Sequence, residues 1–232
     1  GFEENGVSAT AKHFFGDGGT VGGQDQGNVV SDEDLRTIHL APYFEAIEAD
    51  VDTIMISYSS IDGIKMHGSY YWITEVLKEE MGFEGFIISD WNAIHQLPGD
   101  FDNQIVASIN AGVDMLMEPY DWEATIGHIV NAAINDRISD ERIDDAVRRI
   151  LTVKYERGLL EDPLYRLDDS YLYNDEHAAI AREAVRKSLV LLKNEQTSLP
   201  LNKTDKIYIT GSAADNVGLL CGGWTTYWQG NT

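Results

Sequence analysis

The 232-residue chain predicts an α/β fold built on a parallel sheet. Three observations carry that expectation. Short apolar runs alternate with helical patterns: strand–helix units open near Val51, Gly85 and Val113, roughly 30 residues apart as a strand–helix–strand unit requires, and another opens near Val7. Each run ends in polar or aromatic residues, namely Lys12-His13, Ser57-Tyr58, Asp90-Trp91 and Glu118. A parallel sheet with right-handed crossovers brings such ends to one rim. Finally, 43% of the residues are hydrophobic, so a substantial core can form. Four units make half of an eight-fold barrel, and the open edges of a half barrel call for strands upstream.

Taken in order, Val7 to Lys12 is a short strand. The stretch Gly16-Asp17-Gly18-Gly19-Thr20 with Gly22-Gly23 is a loop, because no helix tolerates that glycine density. It lacks a GK[ST] sequence and opens no helix, so it is not a phosphate-binding loop. Ser31-Asp32-Glu33-Asp34 starts a helix with acids in its first turn. Pro42 is expected to break it, giving a second short helix from Pro42 to Ala49. Val51 to Tyr58 is a strand and Thr74 to Met81 a helix closed by Gly82. Phe86 to Ile88 is a strand buried on both faces. Phe101 to Ala111 is a helix ended by Gly112, and Val113 to Met117 a further buried strand. Asp121 caps a helix reaching about Asn135. Ser139 caps another, in which Ile143, Val147, Ile150 and Leu151 fall near helical spacing.

The pattern changes after Gly158. Asp162 to Asn174 is polar, tyrosine-rich and non-periodic, as in a linker. Glu176 to Lys187 is a helix, Leu189 to Leu192 and Lys206 to Thr210 are strands, and Cys221 to Gln229 is a glycine and aromatic loop. The expected organisation is therefore a barrel part over residues 1–158, a linker over 159–175 and the start of a second α/β domain over 176–232. The chain opens without a methionine, and both ends are expected to be cut from a longer protein.

Composition narrows the function. A formal charge of −22, from 39 acids against 17 bases, disfavours nucleic acid and anionic membranes as partners. It fits a neutral ligand and a secreted or salt-tolerant protein. The single cysteine, Cys221, excludes an internal disulfide and a cysteine-rich metal site. The six histidines show no HxxxH or HxH spacing and no EF-hand pattern occurs, so no metal or cofactor is expected. Gly-x-Ser-x-Gly is absent, against an α/β-hydrolase. No signal peptide and no apolar run of membrane-spanning length is present.

Several side chains invite a chemical reading beside a plainer one. Asp90 follows a buried strand with no turn between, where α/β barrels place catalytic groups; it could equally cap the next helix. Lys12 and His13 could offer a cation and a neutral donor to sugar hydroxyls, or be a surface lysine and a core histidine. Trp91, Trp224 and Trp228 suit stacking on a pyranose ring, or packing within or between domains.

Several stretches, in this order, resemble glycoside hydrolase family 3, most of all its β-D-glucan exohydrolases and β-glucosidases: Lys12-His13-Phe14, Gly16-Asp17-Gly18-Gly19-Thr20, Met55-Ile56-Ser57-Tyr58-Ser59-Ser60, Gly85-Phe86-Ile87-Ile88-Ser89-Asp90-Trp91, Ser188-Leu189-Val190-Leu191-Leu192-Lys193-Asn194 and Cys221-Gly222-Gly223-Trp224. The resemblance covers essentially the whole chain. It implies the C-terminal part of a (β/α)8-type barrel, a linker and the start of an α/β sandwich domain. It implies Asp90 as a nucleophile acting with retention of configuration, Lys12 and His13 as ligands of the cleaved sugar, and Met55 and Tyr58 as the lining of its pocket. Trp91 and Trp228 would clamp the next sugar. Gln96 stands where plant relatives tend to carry arginine, and Gln26 near where they carry glutamate. The family's general acid/base is a glutamate expected downstream of Thr232.

Retaining hydrolysis needs two carboxyls about 5 Å apart, one ionised and one protonated. Asp90 can be the first, with Lys12 beside it favouring the charged form. Asp17 and Glu118 are the other candidates, and neither is assigned as the second. The expected activity is release of glucose from non-reducing ends of β-linked gluco-oligosaccharides or glucosides, by a periplasmic or secreted enzyme whose isolated 232-residue piece is inactive. The alternatives are a β-N-acetylglucosaminidase or β-xylosidase of the same family, a non-catalytic glucan-binding protein and a metal-dependent barrel hydrolase. The loop from Gly16 to Asn28 has no histidine, against the acetylglucosaminidase, which carries an acid/base histidine there.

Overall fold

The computed structural model describes residues 2–29, 33–163, 174–195 and 198–224. The chain divides into two compact units, Gly1–Arg166 and Leu167–Thr232. Among the described residues six strands form two sheets: β1 (Thr10–Phe14), β2 (Asn28–Val29), β3 (Thr53–Ile56), β4 (Ser60–Ile61), β5 (Ile64–Lys65) and β6 (Phe86–Ile88). The α-helices are α1 (Ala41–Glu48), α2 (Phe101–Ala111), α3 (Trp122–Ile134) and α4 (Asp140–Glu156) in the first unit, with α5 (Asp175–Ser188) and α6 (Val217–Cys221) in the second.

The first unit is mixed α/β, and its main sheet is parallel in the order β1-β3-β6. Ala11 is in register with Ile54, and Ile54 with Ile87. Successive strands of this sheet are thus spatial neighbours, as right-handed crossovers dictate. Three residue steps on β1, from Ala11 to Phe14, match two on β3, from Ile54 to Ile56. The resulting bulge falls at Lys12-His13, where it re-aims these side chains at the sheet's end. The Lys12–His13 and Phe14–Phe15 peptide bonds are cis. Ile54, Ile56 and Ile87 pack with Phe14, Phe15, Ile73, Leu77 and Val113 in the larger core cluster. A second cluster joins Ile94 and Leu97 to Ile105 and Ile109 of α2 and Ala132 of α3.

Several expectations need correction. Val113 to Met117 does not form a full strand. It lies beside β6 through one parallel bridge, Ile88 to Met115, because its backbone leaves the ladder after Met115 to bond the Ser89 side chain. Pro42 does not split its helix: a π-helical stretch, Leu35–Leu40, runs straight into α1. Where i→i+5 bonding passes to i→i+4, one carbonyl loses its donor, and a residue without an N–H fits that junction. The helix expected from Thr74 to Met81 is a π-helix over Tyr71–Glu80. Asp121 occupies the N-cap of α3, but its side chain makes no cap bond. Leu189 to Leu192 and Lys206 to Thr210 are not strands, and their apolar side chains are largely exposed. A strand needs a neighbour to take its backbone bonds, and these segments have none among the described residues. The loop expected from Cys221 begins at the last residue of α6. Residues 225–232, which include Trp228, lie outside the described residues, as do 164–173 of the expected linker.

The second sheet has no counterpart in the expected strands. β2 pairs parallel with β4, and β4 antiparallel with β5. Asp62 and Gly63 join β4 to β5 with φ of 50° and 82°. Two left-handed residues are what a tight type I′ hairpin turn demands, and Asp-Gly is its usual sequence. This small sheet follows the C-terminal ends of β1 and β3 and builds over their rim.

The opposite end of the main sheet is held by charge. The Asp114 side chain is fully buried; it accepts from the Ile87 amide at 2.8 Å and from Lys78 Nζ at 2.8 Å, and pairs with Arg142 of α4. Asp145 bridges Lys78, Arg142 and Arg149, and Arg149 Nη1 donates to the carbonyls of Phe83 and Gly85 at 2.8 and 2.9 Å. Gly85 passes so close to the Asp52 carbonyl that a Cβ there would clash with it. Asp52, just before β3, is gripped by Arg157 at 2.6 and 2.7 Å, and the same guanidinium holds Glu3.

Removing Asp114 takes the acceptor from the Ile87 amide and leaves Lys78 and Arg142 to share Asp145. Asp114→Ala should therefore cost about 3–5 kcal/mol of stability, read as a lowered urea midpoint. A loss under about 1 kcal/mol would assign the network no more than a surface pair's role.

Candidate active site

Because β1, β3 and β6 end side by side, His13, Ser57-Tyr58 and Asp90-Trp91 share one rim. The Ser57 amide donates to the Phe14 carbonyl at 2.7 Å, which locks the first two ends together. Asp90 is 8% exposed. Its two oxygens have different partners: Oδ1 accepts from the Trp91 amide at 2.7 Å, whereas Oδ2 lies 3.5 Å from His13 Nε2. Its own amide donates to His67 Nε2 at 3.0 Å. The Ser89 hydroxyl donates to the Asp90 carbonyl at 3.1 Å and accepts from the Met117 amide at 2.7 Å. The helix-cap reading of Asp90 does not hold, since α2 begins at Phe101 and is capped by Asp100. The intervening turn, Ala93–Gln96, starts at Asn92 without a side-chain cap.

His13 is held from its far side. Its Nδ1 lies 2.8 Å from Asp17 Oδ2, and Asp17 also accepts from the Ser57 hydroxyl. The hydrogen bond to Asp17 raises the His13 pKa above its usual value; burial opposes this, and the charges of Asp17 and Asp90 reinforce it. Burial works to raise Asp17, but its bonds from His13 and Ser57 outweigh that and leave it lowered. The sequence reading puts Lys12 beside Asp90. That position belongs to His13: Lys12 is exposed and forms no ion pair among the described residues. The bulge explains the difference, since it turns adjacent side chains by an odd step.

Tyr58 Oη donates to the Trp91 carbonyl. Burial, then the charges of Asp90 and Asp25 and a hydrogen bond to Asp90, push its pKa up to about 12. Met55 is half-buried on β3, in register with Ile88. Trp91 is 52% exposed and meets Tyr120 edge-on at 6.1 Å between ring centres. Glu118 turns away from this group: its Oε2 lies 3.0 Å from His95 Nε2, and His95 stacks on Phe101. Lys65 Nζ donates to the Tyr58 carbonyl at 2.9 Å and so fixes the tip of β3 from the hairpin side. Trp228 lies outside the described residues, and Trp224 is exposed in the second unit.

The structure thus gathers His13, Tyr58, Asp90 and Trp91 at one rim, with Met55 on the central strand and Lys12 at the bulge. It adds Asp17, Ser57 and His67. The His13–Asp17 spacing of four residues is visible in the sequence, but its loop has no helical period to give it meaning. Nothing in the sequence marks His67. Among the described residues no group of three metal-ligating side chains occurs, and no helix is long and apolar enough to cross a membrane.

The chain is similar to known proteins over most of its length. The lysosomal beta glucosidase of Dictyostelium discoideum is 35% identical over 95% of this chain and 28% of its own length. The periplasmic beta-glucosidase of Salmonella typhimurium is 30% identical over 94% of the chain and 30% of its own length. The crystal structure of an exo-1,3/1,4-beta-glucanase from a Pseudoalteromonas species superposes with a TM-score of 0.89 at 44% identity, covering 97% of this chain and 29% of that one. The chain spans less than a third of the length of these relatives. The Glycosyl hydrolase family 3 N terminal domain matches residues 1–153, which hold the whole of the rim built around Asp90, and the chain belongs to that family.

Proposed function

We propose that this chain carries the nucleophile and part of the glucose pocket of a retaining, exo-acting β-glucosidase or β-glucan glucohydrolase. The observation that carries the reading is the asymmetry of Asp90. One carboxylate oxygen is committed to the Trp91 amide, and the other faces His13 at the open end of a parallel sheet. In this reading Oδ2 attacks the anomeric carbon. The Oδ2–C1 bond forms as the glycosidic C1–O bond breaks, and the departing oxygen takes a proton from a general acid. That acid is the general acid/base glutamate that the family resemblance implies. Water then attacks C1, the Oδ2–C1 bond breaks and the water's proton returns to the same glutamate. Two displacements restore the original configuration.

His13 serves the first step by its charge. Bonded to Asp17, it holds its proton more tightly than a free imidazole, and as a cation it favours the ionised Asp90. Lys12, His13, Met55 and Tyr58 line the pocket for the cleaved sugar. Trp91 offers its exposed face to the next one. Residues 1–158 form the C-terminal part of a (β/α)8-type barrel, 159–175 a linker and 176–232 the start of an α/β sandwich. Parallel neighbours in chain order, β1-β3-β6 and then Met115, support the barrel. The name of the Salmonella relative supports a periplasmic or secreted site of action, whereas the Dictyostelium relative is named lysosomal.

In the full-length protein Asp90→Asn should lower kcat by several orders of magnitude and leave the melting temperature nearly unchanged. A 2-deoxy-2-fluoro-β-glucoside should label Asp90, located by peptide mass spectrometry; a label on another acid would sink the assignment. Trp91→Ala should cost on the order of 1–3 kcal/mol in kcat/KM for disaccharides, by analogy with stacking of flat rings. An aryl glucoside should be less affected, and equal losses on both substrates would refute this contact. Asp17→Asn removes the anion that raises the His13 pKa. The His13 ring protons should then titrate at lower pH in NMR spectra. The catalytic benefit of a cationic His13, lost in the wild type as pH rises through the raised pKa, should be lost at lower pH in the variant. An unmoved titration curve would show that Asp17 does not set the charge of His13.

A further inference from the structure

β6 leaves one amide to be accounted for. In a parallel sheet successive N–H groups point to alternate neighbours. The Phe86 amide donates towards β3, to the Asp52 carbonyl, and the Ser89 amide donates to Met115 on the other side. The Asp90 amide therefore points back to the β3 side. There β3 has already ended at Ile56, and the Ser57 amide has turned to β1. A buried N–H without an acceptor would destabilise the end of β6 at the residue that matters most.

His67 fills that gap. It lies in the single turn Met66–Gly68, is 2% exposed, and its Nε2 is 3.0 Å from the Asp90 nitrogen. The turn is itself rigidly placed. The Met66 amide donates to the Ser59 carbonyl at 3.1 Å, and Gly68 packs so closely on Leu97 that an added Cβ would lie 2.9 Å from it. Leu97 closes the turn that follows Asp90. Only a neutral imidazole with its proton on Nδ1 can accept at Nε2, because the imidazolium has donors on both nitrogens.

We propose that His67 is a positioning residue for the nucleophile: as a neutral acceptor it fixes the Asp90 backbone and thereby the direction of Oδ2. Resting on the proposed role of Asp90, this adds a contact that determines rate rather than sugar affinity. Burial first, and the charge of Lys65 second, depress the His67 pKa to about 3, so the acceptor persists across the working pH range. Tyr58 holds the Trp91 carbonyl on the same side, so the segment carrying the carboxylate is fixed at the amide before the Asp90 Cα and at the carbonyl after Trp91.

The test uses the full-length wild type, His67→Gln and His67→Leu. Glutamine can present an oxygen near the position of Nε2, and leucine presents none. The readouts are the rate and site of labelling by the 2-deoxy-2-fluoro-β-glucoside, kcat and KM for an aryl β-glucoside, and the melting temperature. His67→Leu should slow labelling of Asp90 and kcat on the order of 10²-fold, as a misplaced reacting group does, with KM little changed; His67→Gln should recover most of the rate. Labelling of Asp90 at the wild-type rate in His67→Leu, or equal losses in both variants, would overturn the role of His67 alone. A label on another acid in the wild type would overturn the nucleophile and this inference together. Nitrogen-15 spectra of the wild type test the proposal without any variant: Nδ1 should carry the proton and Nε2 none at neutral pH, and a protonated Nε2 would end it.

Discussion

The rim depends on a single constraint of parallel sheets. Strands of unequal length leave amides and carbonyls past the last ladder bond, and each must find a partner. β3 ends at Ile56 and β6 at Ile88, yet the polar residues that follow them, Ser57, Ser89 and Asp90, stay buried. The Ser57 amide takes the Phe14 carbonyl, the Met117 amide takes the Ser89 hydroxyl, the Asn92 amide takes the Met117 carbonyl and the Asp90 amide takes His67. Satisfying these groups requires small hydroxyls and a histidine at the strand ends. The same requirement draws the extra hairpin and the Met66–Gly68 turn over the rim. What looks like decoration on the sheet is the means by which an acid can follow a buried strand without disorder.

The two ends of the sheet use charge differently. Below β3 and β6, Asp114, Asp145, Lys78, Arg142, Arg149, Arg157 and Asp52 interlock, with each of these acids meeting at least one cation. Such pairing offsets desolvation and fixes α4 under the strands. At the upper rim no lysine or arginine pairs with the two acids among the described residues. Asp17 and Asp90 instead flank the two nitrogens of His13. Paired charge thus anchors one end of the parallel sheet, while a single histidine joins the acids at the other.

Much of this is legible in the chain. The parallel order follows from apolar runs at regular spacing, and the end of the helix at Phe101–Ala111 from Gly112. The gathering of His13, Tyr58, Asp90 and Trp91 follows from strand ends alone. Other features are not legible, for physical reasons. Whether Val113 to Met117 forms a strand is decided by competition between the ladder and a serine hydroxyl, which a run of apolar residues does not encode. A proline forecasts a broken helix only if i→i+4 bonding precedes it, and π bonding before Pro42 removes the conflict. The bulge at Lys12-His13 arises from the register with β3, so the exchange of lysine for histidine beside Asp90 cannot be read from β1. The Asp62-Gly63 turn does carry a sequence signal, but its flanking strands are only two residues long and show no alternation of their own. Leu189 to Leu192 has strand composition but no neighbour to pair with among the described residues.

The two histidines nearest Asp90 show how one residue type is set to opposite tasks. His13 sits at the open end of the sheet with an acid on each nitrogen, so its proton is stabilised and its pKa rises. His67 is enclosed by the hairpin and the turn after Asp90; burial and the nearby charge of Lys65 both act to expel its proton. The first can donate to the carboxylate and the second can only accept from the amide. Exchange the two environments and both bonds fail: a neutral His13 protonated on Nδ1 has no proton for Oδ2, and a cationic His67 repels the amide. The charge states follow from depth and neighbours rather than from the residue. A chain with a formal charge of −22 thus keeps one cation-prone group against the Asp90 carboxylate and one uncharged group at the Asp90 amide.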